Sequence, residues 1–107
     1  MLEGVPERDF NEVTGLDFIG LRDGSYVIDL EVGPRHHNVR GIVHGGVYCT
    51  LLDTAMTRAF LHTLPEQERL GSTLEMKINF LKAARTGKLT AYGKLIKATR
   101  RTAYVEG

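Results

Sequence analysis

The stretch from Asn38 to Phe60 constrains this chain most. Val47, Leu51, Leu52, Ala55, Met56, Ala59 and Phe60 recur at the i, i+4, i+8 spacing of a helix with one broad buried face. Gly45-Gly46 opens that helix. At about 100° per residue, Gly46, Asp53 and Thr57 fall on one line at the edge of the apolar stripe. The first N–H groups of a helix have no partner within it, and glycine admits a close neighbour, so the pair forms a place where an acceptor oxygen can be polarised. Close packing at a loop-to-helix junction explains the same two glycines equally well.

The remainder reads as sheet. The residues up to about Gly15 have no clean period and are expected to form a short helix or an irregular lead-in. Leu16–Leu21 and the alternating Tyr26, Ile28, Leu30 and Val32 flank an Asp23-Gly24-Ser25 turn, predicting a hairpin. Gly33-Pro34 ends that pairing, and Arg35–Val43 forms the loop into the helix, whose far end is marked by Pro65. After the polar connection Glu66-Gln67-Glu68, Thr73–Phe80 alternates as a strand with Leu74, Met76, Ile78 and Phe80 on its core face. Thr86-Gly87-Lys88 is a turn, Leu89–Ala98 a strand, Thr99-Arg100-Arg101 a turn or bend, and Thr102–Val105 one more strand. An antiparallel sheet around one long helix is an α+β arrangement.

A chain of 107 residues suits one domain, residues 1–107, with a modest core that oligomerisation would help to complete. No apolar run is long enough to cross a membrane and no secretory signal is visible, so no membrane partner is expected. The single cysteine, Cys49, fits a reducing cytoplasm, and a net charge of +1 argues against a general nucleic-acid binder. The charge is nonetheless lopsided. Glu3, Glu7, Asp9, Glu12, Asp17, Asp23, Asp29 and Glu31 crowd the front, whereas Lys77, Lys82, Arg85, Lys88, Lys94, Lys97, Arg100 and Arg101 give the back half the means to hold an anion.

Asp53 is the first chemical candidate, because a carboxylate flanked by apolar helix positions is costly unless it meets solvent, a partner or a substrate cleft. Asn38, then His44-Gly45-Gly46, then Asp53, followed by a basic strand-rich tail, resembles the hotdog-fold thioesterases of the PaaI-like acyl-coenzyme A branch. The resemblance covers most of the chain. It implies a sheet wrapped around the central helix and hydrolysis of an acyl-CoA thioester at a site shared by two subunits of a homodimer or a dimer of dimers. No cofactor is required, and coenzyme A enters only as part of the substrate.

By the same resemblance, Asp53 acts as base or nucleophile, and the Gly46 N–H of the opposite subunit polarises the thioester carbonyl. Both chemistries of a carboxylate remain open. Asn38 orients the thioester or water, or equally serves as a turn residue; His44 touches substrate or holds the loop; Thr57 reaches the carboxylate or water, or stays a helix-surface threonine. Gly45, Thr73 and Phe80 complete the substrate site, with Thr73 standing where a related branch places an assisting serine. Lys82, Lys97, Arg100 and Arg101 are candidates for the phosphates of coenzyme A; each serves equally as part of a solvated sheet face.

His36, His37, His44 and Asp53 lack the spacing of a metal site, so no metal is expected. Cys49 is expected as a small buried side chain and His62 on the helix surface. Ala83 replaces a proline and Thr99 a glycine frequent in the branch, and the chain ends at Gly107, within what corresponds to the penultimate strand. The expectation is a hotdog fold lacking its final strand, with an open sheet edge. A noncatalytic acyl-CoA-binding or assembly protein is the first alternative. A hotdog dehydratase, which would want a histidine base, is the second.

Overall fold

A computed structural model describes residues 8–107; the part of the lead-in before Arg8 lies outside the described residues. Helix α1 (Phe10–Thr14) is capped at its start by the Asp9 side chain, which accepts from the Glu12 N–H, and ends on Gly15 at φ 88°. The expected hairpin follows as β1 (Asp17–Arg22) and β2 (Ser25–Glu31). Asp23 and Gly24 turn the chain with positive φ at both residues, the geometry that matches the twist of a two-residue hairpin.

Helix α2 (Gly45–Leu61) is the one long helix. It stops short of Pro65, and His62 caps its end by donating its N–H to the Arg58 carbonyl. Expected on the helix surface, the His62 ring is instead half-buried against Tyr26, with ring centroids 5.0 Å apart. Beyond a short 3-10 turn at Glu66–Glu68, regular structure resumes with β3 (Lys88–Ala98) and β4 (Ala103–Glu106).

The four strands form one antiparallel sheet in the order β1-β2-β3-β4, so α2 lies in the connection between the two central strands and packs across them. Register decides the core. Ile28 stands opposite Phe18 and Ala91, and Leu30 opposite Leu89, which places the apolar alternates of β2 and β3 on one face. Tyr26, Ile28, Leu30 and Ala91 bury against Leu51, Ala55 and Ala59 of α2. Full burial of Ile28 and Leu30 contributes on the order of 1.5–3 kcal/mol each.

Small residues let the layers approach. A Cβ at Gly93 would run into the Ala55 carbonyl and stand 2.7 Å from the Met56 nitrogen. The helix backbone therefore rests directly on β3, a contact that only glycine permits.

One expected strand is absent. Thr73–Phe80 forms no ladder with any described residue. Met76 and Ile78 are half-buried as the alternation requires, but Leu74 and Phe80, expected on the core face, are 86% and 57% exposed. The reason is geometric: a strand needs a neighbouring backbone, and between this stretch and β4 lies an open cleft of about 330 Å³ floored by Leu52 and Met56.

Candidate active site

The approach to α2 is built by local hydrogen bonds. Asn38 closes its own loop: its N–H donates to the Ile42 carbonyl at 2.8 Å, and its side-chain oxygen accepts from the Arg40 N–H at 2.9 Å. That is the turn-making use of asparagine, and it leaves the side-chain NH₂ without an acceptor among the described residues. Val43 donates to the Ala84 carbonyl at 2.9 Å, and His37 Nε2 donates to the Arg85 carbonyl at 2.7 Å. Both bonds pin the loop to the stretch that precedes β3.

His44 is the N-cap of α2. Its Nδ1 accepts from the Gly46 N–H at 2.8 Å, which leaves the ring proton on Nε2 in the neutral form. This changes the expected part of Gly46, because its N–H is already engaged. Among the described residues, the first-turn donor without a partner is the Gly45 N–H. Phe80 lies over that position: a Cβ at Gly45 would be 3.3 Å from its ring, which also meets Tyr48 edge-on at a centroid distance of 6.1 Å. Phe80 thus leaves the core face assigned to it and joins the helix start.

Asp53 sits half-buried in the middle of α2, and its Oδ1 accepts from the Thr73 hydroxyl at 2.5 Å. Thr57, one turn further on, makes no hydrogen bond with Asp53 among the described residues. The hydroxyl on this carboxylate comes from twenty residues along the chain instead. Asp53 follows Gly45 by eight helical residues, so about 12 Å of helix axis separates the two. One copy of the helix cannot bring both to the same atom.

The cationic candidates remain apart from this cluster. Lys97 lies on β3 opposite Tyr104; Arg100 and Arg101 occupy the β3–β4 turn, which is closed by the Thr99 N–H donating to the Thr102 carbonyl at 2.7 Å. Lys82 is exposed in the irregular stretch before β3. None of these four pairs with a carboxylate among the described residues, whereas Lys88 does, 3.6 Å from Asp29. Cys49 is a half-buried free thiol.

A family model described as the thioesterase superfamily matches residues 40–107, the end of the loop, α2 and everything after it. The chain belongs to that superfamily. The acyl-coenzyme A thioesterase 13 of Homo sapiens is 30% identical over 82 residues, 76% of this chain and 57% of its own length. This thioesterase-superfamily chain therefore spans little more than half of that relative. A conserved protein of Pseudomonas aeruginosa superposes with a TM-score of 0.81 at 29% identity, covering 92% of this chain and 78% of that one. The phenylacetic acid degradation protein PaaI of Thermus thermophilus, in a mutant form, does so with a TM-score of 0.78 at 27% identity, over 90% and 80% of the two chains. The PaaI-like resemblance and the hotdog fold follow from these matches together with the single long helix on its antiparallel sheet.

His36, weighed from the sequence only as a metal ligand, borders the candidate site through the backbone of His44. His36 is 3% exposed and ties three elements together. The available signal was its place three residues after Gly33, the spacing at which a side chain reaches back to the residue that starts a helical turn.

Proposed function

We propose that this chain hydrolyses acyl-CoA thioesters at a site completed by two protomers, with Asp53 of one facing the helix start of the other. The observation that carries the reading is the separation of about 12 Å along a single α2 between a carboxylate and the Gly45 N–H, which has no acceptor among the described residues. A symmetric pair of helices supplies both parts twice. The relationship to an acyl-coenzyme A thioesterase supports the substrate class.

In this reading the thioester oxygen accepts from the Gly45 N–H, with the His44 Nε2–H and the Asn38 NH₂ as further donors. Asp53 receives the proton of a water whose oxygen attacks the acyl carbon. The tetrahedral oxyanion gains most from these fixed donors, then collapses and breaks the carbon–sulfur bond. Coenzyme A leaves as the thiol, taking the proton from Asp53. Thr73 holds Oδ1, which leaves Oδ2 to meet the water. Direct attack by the same carboxylate, through an anhydride hydrolysed in a second step, uses the same geometry. Lys82, Lys97, Arg100 and Arg101 supply charge for the phosphates of coenzyme A. The reaction as written needs neither metal nor cofactor.

Thiol release from a panel of acyl-CoA thioesters tests this. Asp53→Ala is expected to reduce kcat by about 10³-fold or more while coenzyme A binding persists. Mixing Asp53→Ala with an Asn38→Ala/His44→Ala variant re-forms one intact site in each hybrid dimer, so roughly a quarter of the wild-type activity should return. Full turnover by Asp53→Ala removes the assignment of the acid. No recovery on mixing, with hybrids shown to form, removes the shared site.

A further inference from the structure

We infer that His36 is a positioning residue for the helix start, acting through His44. This rests on the reading of the Gly45 N–H and His44 as the carbonyl-binding donors. Every polar group of His36 is engaged. Its backbone N–H donates to the Gly33 carbonyl at 2.9 Å, and its Nδ1 accepts from the Gly33 N–H at 2.9 Å. Its Nε2 donates to the Thr14 carbonyl at 2.7 Å, and its own carbonyl accepts from the His44 N–H at 2.8 Å. A backbone N–H only donates and a carbonyl only accepts, so the two ring contacts together define the neutral Nε2–H tautomer.

The arrangement has the form of a clasp. The imidazole joins the end of α1 to the exit of β2, and the backbone of the same residue holds the N-cap of α2. His44 places its Nδ1 on the Gly46 N–H only while its own backbone keeps the extended conformation, φ −62° and ψ 138°. Removing the His36 ring frees Gly33 and Thr14, both half-buried contacts of a residue with almost no solvent access. The carbonyl on which His44 hangs then loses its anchor. A supporting shell that slips by a fraction of an ångström loosens the donors without unfolding the protein.

Three variants separate positioning from simple stability. His36→Phe removes both ring contacts; His36→Asn offers an acceptor near the position of Nδ1, and His36→Gln a donor near that of Nε2. Well below each variant's Tm, kcat for the best acyl-CoA should fall about 10- to 100-fold in His36→Phe, with KM changed less than about threefold. At least one of the amide variants should recover part of the loss. Nitrogen chemical shifts of the His44 ring give a second readout independent of turnover: wild type reports an accepting Nδ1, and His36→Phe should shift it towards a mixture of tautomers. A folded His36→Phe with unchanged kcat and unchanged His44 shifts overturns the inference. So does a kcat loss that disappears when assays are matched for distance below Tm. If wild type hydrolyses no acyl-CoA, the proposed function fails on its own, while the His44 shifts still decide whether His36 sets the helix start.

Discussion

Two stretches of this chain carry the same alternation of apolar side chains and end in opposite environments. In β2, Tyr26, Ile28 and Leu30 are buried, with β1 on one side, β3 on the other and α2 across the face. In the stretch Thr73–Phe80, Leu74 and Phe80 are largely exposed and no ladder forms with any described residue. Alternation states which side chains would share a face. It becomes structure only when two neighbours satisfy the backbone and a second layer covers the face. The irregular chain that runs from Thr73 through Arg85 is attached at points instead: Thr73 to Asp53, Ala84 to Val43 and Arg85 to His37. Those points are where the candidate site lies, so the least regular part of the chain positions the carboxylate's only side-chain partner among the described residues.

The contrast breaks most readily in β2. Ile28→Ala removes a fully buried side chain between Phe18 and Ala91, and it should cost about 3–4 kcal/mol in urea unfolding. Gly93→Ala comes next, at roughly 2–3 kcal/mol, because the new methyl meets helix backbone rather than a side chain that can rotate away. A Gly93→Ala variant as stable as wild type would mean that α2 can lift off β3 freely, and the account of the core would fail with it.

The same physics explains what could be read without coordinates. Helix α2, the hairpin, β3 and β4 were legible because each combines a period with punctuation: Gly45-Gly46 at the helix start, Asp23-Gly24 between the first strands, Gly87 before β3. The Asp53–Thr73 bond was not, since it joins residues twenty apart, one of them in a segment whose period wrongly indicated a paired strand. The exchange of Gly46 for Gly45 as the unengaged donor depends on the rotamer of His44, which no spacing rule records. His36 was legible in part, because its distance from Gly33 fits a reciprocal turn cap; its bond to Thr14 depends on where α1 docks.

Between the extremes lies the helix start. His44→Ala deletes the side-chain cap on the Gly46 N–H, and about 1 kcal/mol of stability should be lost. The accompanying fall in kcat should exceed what that destabilisation alone produces at 25 °C, because a folded majority is still present while a donor is gone. Equal activity in folded His44→Ala and wild type would reduce His44 to a cap and leave Gly45 and Asn38 as the donors.

The smallest effect sharpens the comparison most. Leu74→Ala and Leu81→Ala each remove a large apolar side chain, and by composition alone they rank with Ile28→Ala. Leu74 and Leu81 are 86% and 92% exposed, however, so truncation surrenders almost no burial and opens no cavity. Each should change stability by less than about 0.5 kcal/mol in the isolated protomer. Amide exchange should agree, with slow exchange in β2 and β3 and fast exchange across Leu74–Leu81. If dilute protein gives the small values but concentrated protein gives losses above about 1 kcal/mol, the stretch is being covered on association, and the exposure of its leucines belongs to the protomer rather than to the working assembly.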